Sequence, residues 1–334
     1  MNRIGLAVTG AHDPIDMYVE TARRIEEAGY ECVWFAEDYF FRDSVTTAAA
    51  VGATTDRLDI GMFVNPYTRH PALTAMTAAS LDEIAGGNVS IAVGAGPRTV
   101  MEQFVDYERP LQTVKRSVEL VRKLFAEEEV FYDEPPFDYR DVTLGECPYM
   151  PYMDPFAYPR DEIPVYVAAV GPQMLAMAGD VGDGLLVSFG FTPEMVASAL
   201  ERVDVGLEMS GLTREEFDVA GLVFADDSIG ERARQFAALT VSGRHDIEDV
   251  TASGVDEEAA LAVREAYETD GIETAVEHVT DSMAETYVLT PENETPPGER
   301  LDQFVEAGID VPLLVPMDAT SAESVVEIGS KWAG

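Results

Sequence analysis

Between Val64 and Ala72 the chain reads Asn65-Pro-Tyr-Thr-Arg-His-Pro71. Asn65, Tyr67, Thr68, Arg69 and His70 bring an amide, a phenol, a hydroxyl, a guanidinium and an imidazole together. Each proline lacks an N–H and pushes the residue before it out of the helical region, so the segment is a loop. The apolar residues Ile60, Met62, Phe63 and Val64 precede it and read as a short buried strand, and a helix starts near Ala72. A histidine here can pass a proton near neutral pH. It can equally do no more than anchor its loop.

Three further clusters repeat this arrangement of an apolar run followed by reactive or permissive residues. Cys32-Val-Trp-Phe-Ala36 runs into Glu37, Asp38 and Tyr39. Paired carboxylates can hold different pKa values and divide acid and base work, or they can be one more acidic loop. Val89–Val93 runs into Gly94-Ala95-Gly96, where missing side chains let a ligand approach the backbone, or simply allow a tight turn. Pro164–Ala169 runs through Val170 into Gly171-Pro172-Gln173. Proline suits the first turn of a helix, and the free N–H groups there hold anions well. Arg69 and Arg98 are placed to help.

The elements that must position these clusters alternate regularly. Strands are expected near 3–9, 32–36, 58–64, 89–93, 164–169, 184–188, 218–224 and 311–315. Helices are expected over 15–28, 44–53, 72–84, 109–125, 171–178, 230–239, 301–307 and 322–329. Repeated strand–helix order implies a parallel sheet. Eight such units favour an α/β fold of the (β/α)8 TIM barrel type, with reactive residues at the strands' C-terminal ends. The alternative is an open doubly wound sheet, but Gly94-Ala-Gly-Pro-Arg-Thr-Val lacks the third glycine of the dinucleotide fingerprint. Residues 127–162 interrupt the rhythm and read as an insertion between strands 4 and 5. Residues 246–284 read as two acidic helices, so 1–334 form one barrel domain with two additions.

The 334 residues carry 62 acidic and 22 basic side chains, a formal charge of −40. Lysine occurs only at 115, 123 and 331. Such a field repels nucleic acid and anionic membranes. The composition matches proteins from cells holding molar salt, where charges are screened within about 3 Å. No apolar run is long enough to span a bilayer, and the N-terminus reads as a strand rather than a signal peptide. The expectation is a cytoplasmic protein. Cys32 and Cys147 read as plain thiols, and no metal-ligand spacing is present. There is no P-loop, no HExxH and no Gly-x-Ser-x-Gly.

Trp34-Phe-Ala-Glu-Asp-Tyr39, the Gly61–Pro71 segment, Ala92-Val-Gly-Ala-Gly96, Arg109-Pro-Leu111 and Ala169-Val-Gly-Pro-Gln-Met-Leu175 through Asp183-Gly184 together resemble the bacterial luciferase-like superfamily. Within it the chain is most similar to coenzyme F420-dependent methylenetetrahydromethanopterin reductases. The resemblance covers roughly 1–125 and 163–330. It implies a homodimer or homotetramer that passes a hydride from reduced coenzyme F420 to a methylene-tetrahydropterin, either methanopterin- or folate-based. It places the cofactor against Gly61, Met62, Phe63, Val64 and Asn65, with its phosphate at Gly94, Ala95, Gly96 and at Ala169, Val170, Gly171, Pro172 and Gln173. It leaves Glu37 and Asp38 as proton donors, with Glu102 and His70 behind them.

The chain departs from the family pattern at several polar positions. Ala7 stands in the region of a usual glutamate, Pro97 for an aspartate and Val170 for a glutamine. A usual Ala-Asp-His-Tyr has become Ala36-Glu-Asp-Tyr39. The competing readings are an FMN-dependent monooxygenase on the same barrel and a non-catalytic paralogue.

Overall fold

The computed structural model describes residues 2–334 except 104, 127–129, 135, 148, 151 and 155–161. The chain forms strands β1 (Gly5–Thr9), β2 (Cys32–Ala36), β3 (Asp59–Val64) and β4 (Val89–Val93). A hairpin follows, β5 (Val130–Glu134) and β6 (Phe137–Val142), and then β7 (Val165–Ala169), β8 (Gly184–Val187), β9 (Asp218–Ala225) and β10 (Val311–Pro316). All but the hairpin close into one parallel barrel in the order β1-β2-β3-β4-β7-β8-β9-β10, with β10 returning to β1. The barrel is thus a (β/α)8 barrel, and its strands fall within a residue or two of the expected positions.

Strands buried on both faces read as continuous apolar runs, and the two faces have separate duties here. Ile60, Met62 and Val64 point outward into the core under the helices, as do Val33, Phe35, Ile91 and Val93. Ala7, Cys32, Trp34, Ala92, Tyr166, Leu186, Ala220 and Leu313 fill the lumen. A column of rings runs up its inside: Tyr166 meets Trp34 edge-on at 5.5 Å, and Trp34 stacks on Phe63 at 5.3 Å.

The helices follow local signals. Asp43 caps the helix Ser44–Gly52 by accepting from the Thr46 N–H at 2.7 Å. In the helix Ile15–Glu27, Tyr18, Ala22 and Ile25 share the buried face. One barrel helix, Pro193–Ser210, is absent from the expected elements. Its interior Gly206 weakens the helical pattern by about 1 kcal/mol. The reason for that glycine is a crossing: a Cβ on Gly206 would lie 1.9 Å from the Ala176 carbonyl oxygen, and one on Gly179 2.3 Å from that of Val203.

The two additions also differ from expectation. Within 127–162 the sequence shows no period, yet Val130–Glu134 and Phe137–Val142 pair as antiparallel strands. Four helices rather than two occupy 246–284: Ile247–Ala252, Glu257–Asp270, Ile272–Glu277 and Asp281–Tyr287. Gly254 and Gly271 adopt positive φ and end one helix before the next begins. With Glu231–Val241 these helices form an excursion that leaves the barrel at Ala225 and returns at Leu289. A parallel bridge joins those two residues, closed by Asp226 N–H to Leu289 O at 3.0 Å and Leu289 N–H to Phe224 O at 2.8 Å. The excursion therefore sits as a cap rooted at the C-terminal end of β9.

Candidate active site

At the C-terminal end of the lumen the packing opens. Trp34, Ala92, Leu186, Ala220 and Leu313 are buried, whereas Phe63, Ala168, Leu222 and Val315 above them are half-buried. These four make an apolar floor. Around it stand the loops that follow each strand, as the fold requires.

The best-built part of the rim joins β2 to β3 and β4. Arg69 donates from Nε and Nη2 to Oε1 of Glu37 at 3.2 and 3.0 Å. Oε2 of Glu37 accepts the Asn65 backbone N–H at 3.2 Å. Both side chains are mostly covered, 13% exposed for Arg69 and 17% for Glu37. The outer carboxylate of Asp43 lies 3.7 Å from the same guanidinium. Asn65 is 4% exposed. Its amide donates to the Ala95 carbonyl at 2.9 Å and its Oδ1 accepts the Tyr67 N–H at 2.9 Å. An asparagine just after a strand thus holds its own turn and the next strand's turn together. Burial pushes the Tyr39 phenol up to about 12, against hydrogen bonds with Thr68 and Asn65.

The turn after β4 is fixed from both sides. Gly96 has φ 70°, and a Cβ there would lie 2.6 Å from the Asn65 amide nitrogen. Only glycine satisfies both conditions. Tyr107 donates to the Gly96 carbonyl at 3.2 Å, Arg98 lies over the Tyr107 ring at 5.1 Å, and Tyr67 packs on Tyr107 at 4.9 Å. Tyr67 in turn donates to the Glu108 carbonyl. After β7, the helix Pro172–Val181 opens on Gly171. A Cβ on Gly171 would meet nothing within 4 Å. The first-turn N–H groups of that helix have no carbonyl ahead of them within it, and Gly171, Pro172 and Gln173 are exposed. An open apolar floor with an exposed helix N-terminus at its rim fits a planar ring carrying an anionic tail.

The structure sorts the residues nominated from sequence. Phe63, Asn65, Gly94, Ala95, Gly96, Val170, Gly171, Pro172 and Gln173 lie on or around the floor. Met62, Val64 and Ala169 are buried against the helices, so only their backbone belongs to the site. Gly61 is one layer too deep: a Cβ there would lie 1.9 Å from the Trp34 ring, so the glycine makes room for tryptophan. Asp38 is exposed after β2. Glu102 is held by Arg98 at 2.7 Å. His70 stands at the N-cap position of the helix Pro71–Ile84, with no capping bond from its side chain, and meets Phe137 of the hairpin edge-on at 5.6 Å. Burial holds its imidazole below the usual range.

Sequence reasoning passed over the opposite rim. There Phe189, just past β8, packs against Phe224 at the end of β9 and Phe236 of the cap, at 5.7 and 4.8 Å. His245 of the cap bonds the Phe189 carbonyl at 2.8 Å. Asp226 and Asp318, past β9 and β10, share Arg232 at 3.4 and 2.6 Å. The available signal was the Ser-Phe-Gly-Phe run at 188–191, immediately after a strand.

Comparison with known proteins agrees with this architecture. Residues 1–311 match the luciferase-like monooxygenase family. A 5,10-methylenetetrahydromethanopterin reductase of Archaeoglobus fulgidus is 31% identical over 316 residues, covering 88% of this chain and 87% of that one. Another, from Methanolobus tindarius, is 29% identical over 69% of this chain and 68% of its own. The solved coenzyme F420-dependent tetrahydromethanopterin reductase of Methanopyrus kandleri superposes with a TM-score of 0.81 at 21% identity, over 99% of this chain and 97% of that one. At that identity the last likeness speaks to fold. Among the described residues no helix is long and apolar enough to cross a membrane.

Proposed function

The chain belongs to the luciferase-like monooxygenase family, and from that premise we propose that it is a coenzyme F420-dependent oxidoreductase that reduces a methylene-tetrahydropterin to the methyl form. The observation that carries this reading is the open floor of Phe63, Ala168, Leu222 and Val315, bounded by the Glu37–Arg69–Asn65 rim. The relatives named above support the pterin as substrate class.

Reduced F420, when bound, supplies a hydride. The protein's part is to hold two rings face to face and keep water out. Phe63 and its neighbours supply an apolar surface for stacking. Ala95 and Gly96 let backbone come close, and the helix N-terminus at Gly171–Gln173 suits the anionic tail. When the pterin's C–N bond breaks, the released amine nitrogen needs a proton. Glu37 has both oxygens engaged by Arg69 and Asn65, so it positions the loop. Asp38 has no partner among the described residues and is the group that delivers the proton. Glu102, tied to Arg98, and His70, turned to Phe137, stand behind it.

The homodimer or homotetramer belongs to the same proposal. The helix Ser44–Gly52 carries no charged residue, and Leu73, Met76 and Ile84 are exposed on Pro71–Ile84. A largely apolar face, with Glu83 exposed beside Ile84, suits contact between two copies that each carry −40. Cytoplasmic location is consistent with the cofactor class.

The test is turnover in molar KCl, following oxidation of reduced F420 with methylene-tetrahydromethanopterin and with methylene-tetrahydrofolate. Turnover with either supports the reading, and its absence with both removes it. The family's description as monooxygenases favours one second reading, reduced FMN with oxygen; oxygen consumption with FMN in place of F420 identifies it.

A further inference from the structure

The cap is strongly acidic: between 226 and 288 there are sixteen Asp and Glu against four Arg and no Lys. Three of those arginines are engaged. Arg232 bridges Asp226 and Asp318, and Arg234 pairs with Asp281 at 2.5 Å. Arg264 donates to the carbonyls of Val241 and His245 at 2.8 and 2.7 Å. Arg244 has no carboxylate or carbonyl partner among the described residues. Its guanidinium lies over the Phe189 ring at 4.3 Å and is exposed.

This placement is held, not accidental. The next residue, His245, is buried and anchors the loop to the Phe189 carbonyl at 2.8 Å. Its ring also meets Phe191 edge-on at 4.7 Å. Phe189 itself is backed by Phe224 and Phe236. A stiff aromatic wall therefore presents one cation at the rim, where β8 ends. A ring face satisfies one side of a guanidinium and leaves its five N–H donors free. In a cap so rich in carboxylates, a cation with no anion beside it is available for one that arrives. Partial burial also holds the guanidinium below its usual range.

We infer that Arg244 binds an anionic oxygen group, carboxylate or phosphate, on a ligand that occupies the barrel mouth, on the strand end next to the one that leads into the Gly171–Gln173 helix. The inference rests on the mouth being the ligand site proposed above. Two sources fit the chemistry: the acidic tail of the pterin substrate and the acidic tail of the cofactor. The fork of a guanidinium matches either oxygen set.

Phenylglyoxal labelling of the full chain in molar KCl, quantified at Arg244 by peptide mass spectrometry, reads the residue itself. Four probes separate the sources: folate, 6-methylpterin (the same ring without any acidic tail), F420, and the deazaflavin riboside without phosphate. Protection at least fivefold by folate but not 6-methylpterin assigns Arg244 to the substrate tail. The same protection by F420 but not the riboside assigns it to the cofactor tail. Labelling unchanged by both tailed ligands, or slowed equally by the tailless ones, overturns the inference. Arg244→Gln should weaken the protecting ligand about tenfold, or about 1.4 kcal/mol, with Arg244→Lys recovering only part. Absent pterin turnover together with F420 protection would remove the proposed substrate and leave the anion site standing.

Discussion

At the N-terminal end of the lumen Arg3 ties Glu31 to Asp218, at 2.8 and 2.7 Å, and Asp218 accepts the Tyr166 hydroxyl at 2.6 Å. At the C-terminal end Arg69 ties Glu37 to Asp43, and Glu37 accepts the Asn65 N–H. Both ends thus carry an arginine between two carboxylates with an aromatic column between them. The lower end is closed. It holds only a small cavity of about 30 Å3, lined by Arg3, Glu31, Cys32, Tyr166 and Asp218 among others, room for about one water. At the upper end Phe63, Ala168, Leu222 and Val315 are only half-buried. Titration is more disturbed at the closed end: burial pushes the Cys32 thiol and the Tyr166 phenol far above their usual ranges. Shifted titration therefore marks burial here rather than the candidate site; perturbed groups are evidence for function only where a ligand can reach them.

The sharpest break of this comparison is at two glycines. Gly61→Val puts a side chain into Trp34 and should leave little folded protein, since overpacking of 1–3 kcal/mol or more is expected even for smaller insertions. Gly171→Leu points into open space and should leave the melting temperature unchanged while weakening F420 binding on the order of tenfold by fluorescence titration. If both variants fold and bind alike, Gly61 is not a packing glycine.

Next in size is Glu37→Gln. It strips the mostly covered Arg69 of its nearest anion and should cost about 2 kcal/mol of stability by denaturant titration, less than a fully buried pair because Asp43 remains. Because Asn65 loses its charged acceptor too, kcat/KM should fall at least about tenfold. The matching change below, Arg3→Met, removes a half-exposed pair and should cost only about 1 kcal/mol, with kcat/KM unchanged. A loss of activity without loss of stability in Arg3→Met would make the closed end functional after all.

The smallest effect is a pH dependence at the cap. Burial lowers the His245 imidazole from 6.5. The unfolded chain then binds a proton that the folded chain resists, so this part of the stability is present above about pH 6.5 and is lost as pH falls below it. Melting temperature should therefore decline from pH 7 toward 5, and His245→Gln should flatten that decline. The flattening should be specific to this residue, because His70, although also lowered, is exposed.

Much of this was legible because the signals are local. Cys32–Ala36, Val89–Val93 and Val311–Val315 are apolar runs of strand length bounded by turn residues, and each is a strand. Asn65 and Gly96 were visible as a strand-end asparagine and a glycine in a turn. Gly61 shows the limit. The family resemblance placed it with the cofactor residues, but the Trp34 ring, a neighbour in space that comes 27 residues earlier, occupies the room beside it. The helix Pro193–Ser210 was obscured by Gly206 for the same reason, since the helix it crosses is distant in the chain.

The sequence alone determined the eight-fold strand–helix repeat, the acidic surface and the clustering of polar residues at strand ends. Period, charge and turn chemistry act over a few residues, and the chain states them directly. Only the tertiary structure decided which end of the lumen is closed, which of Glu37, Asp38, Glu102 and His70 is left without a partner, and that Arg244 stands over Phe189. Those outcomes depend on contacts between segments tens of residues apart, and closure of the barrel is what brings them within reach.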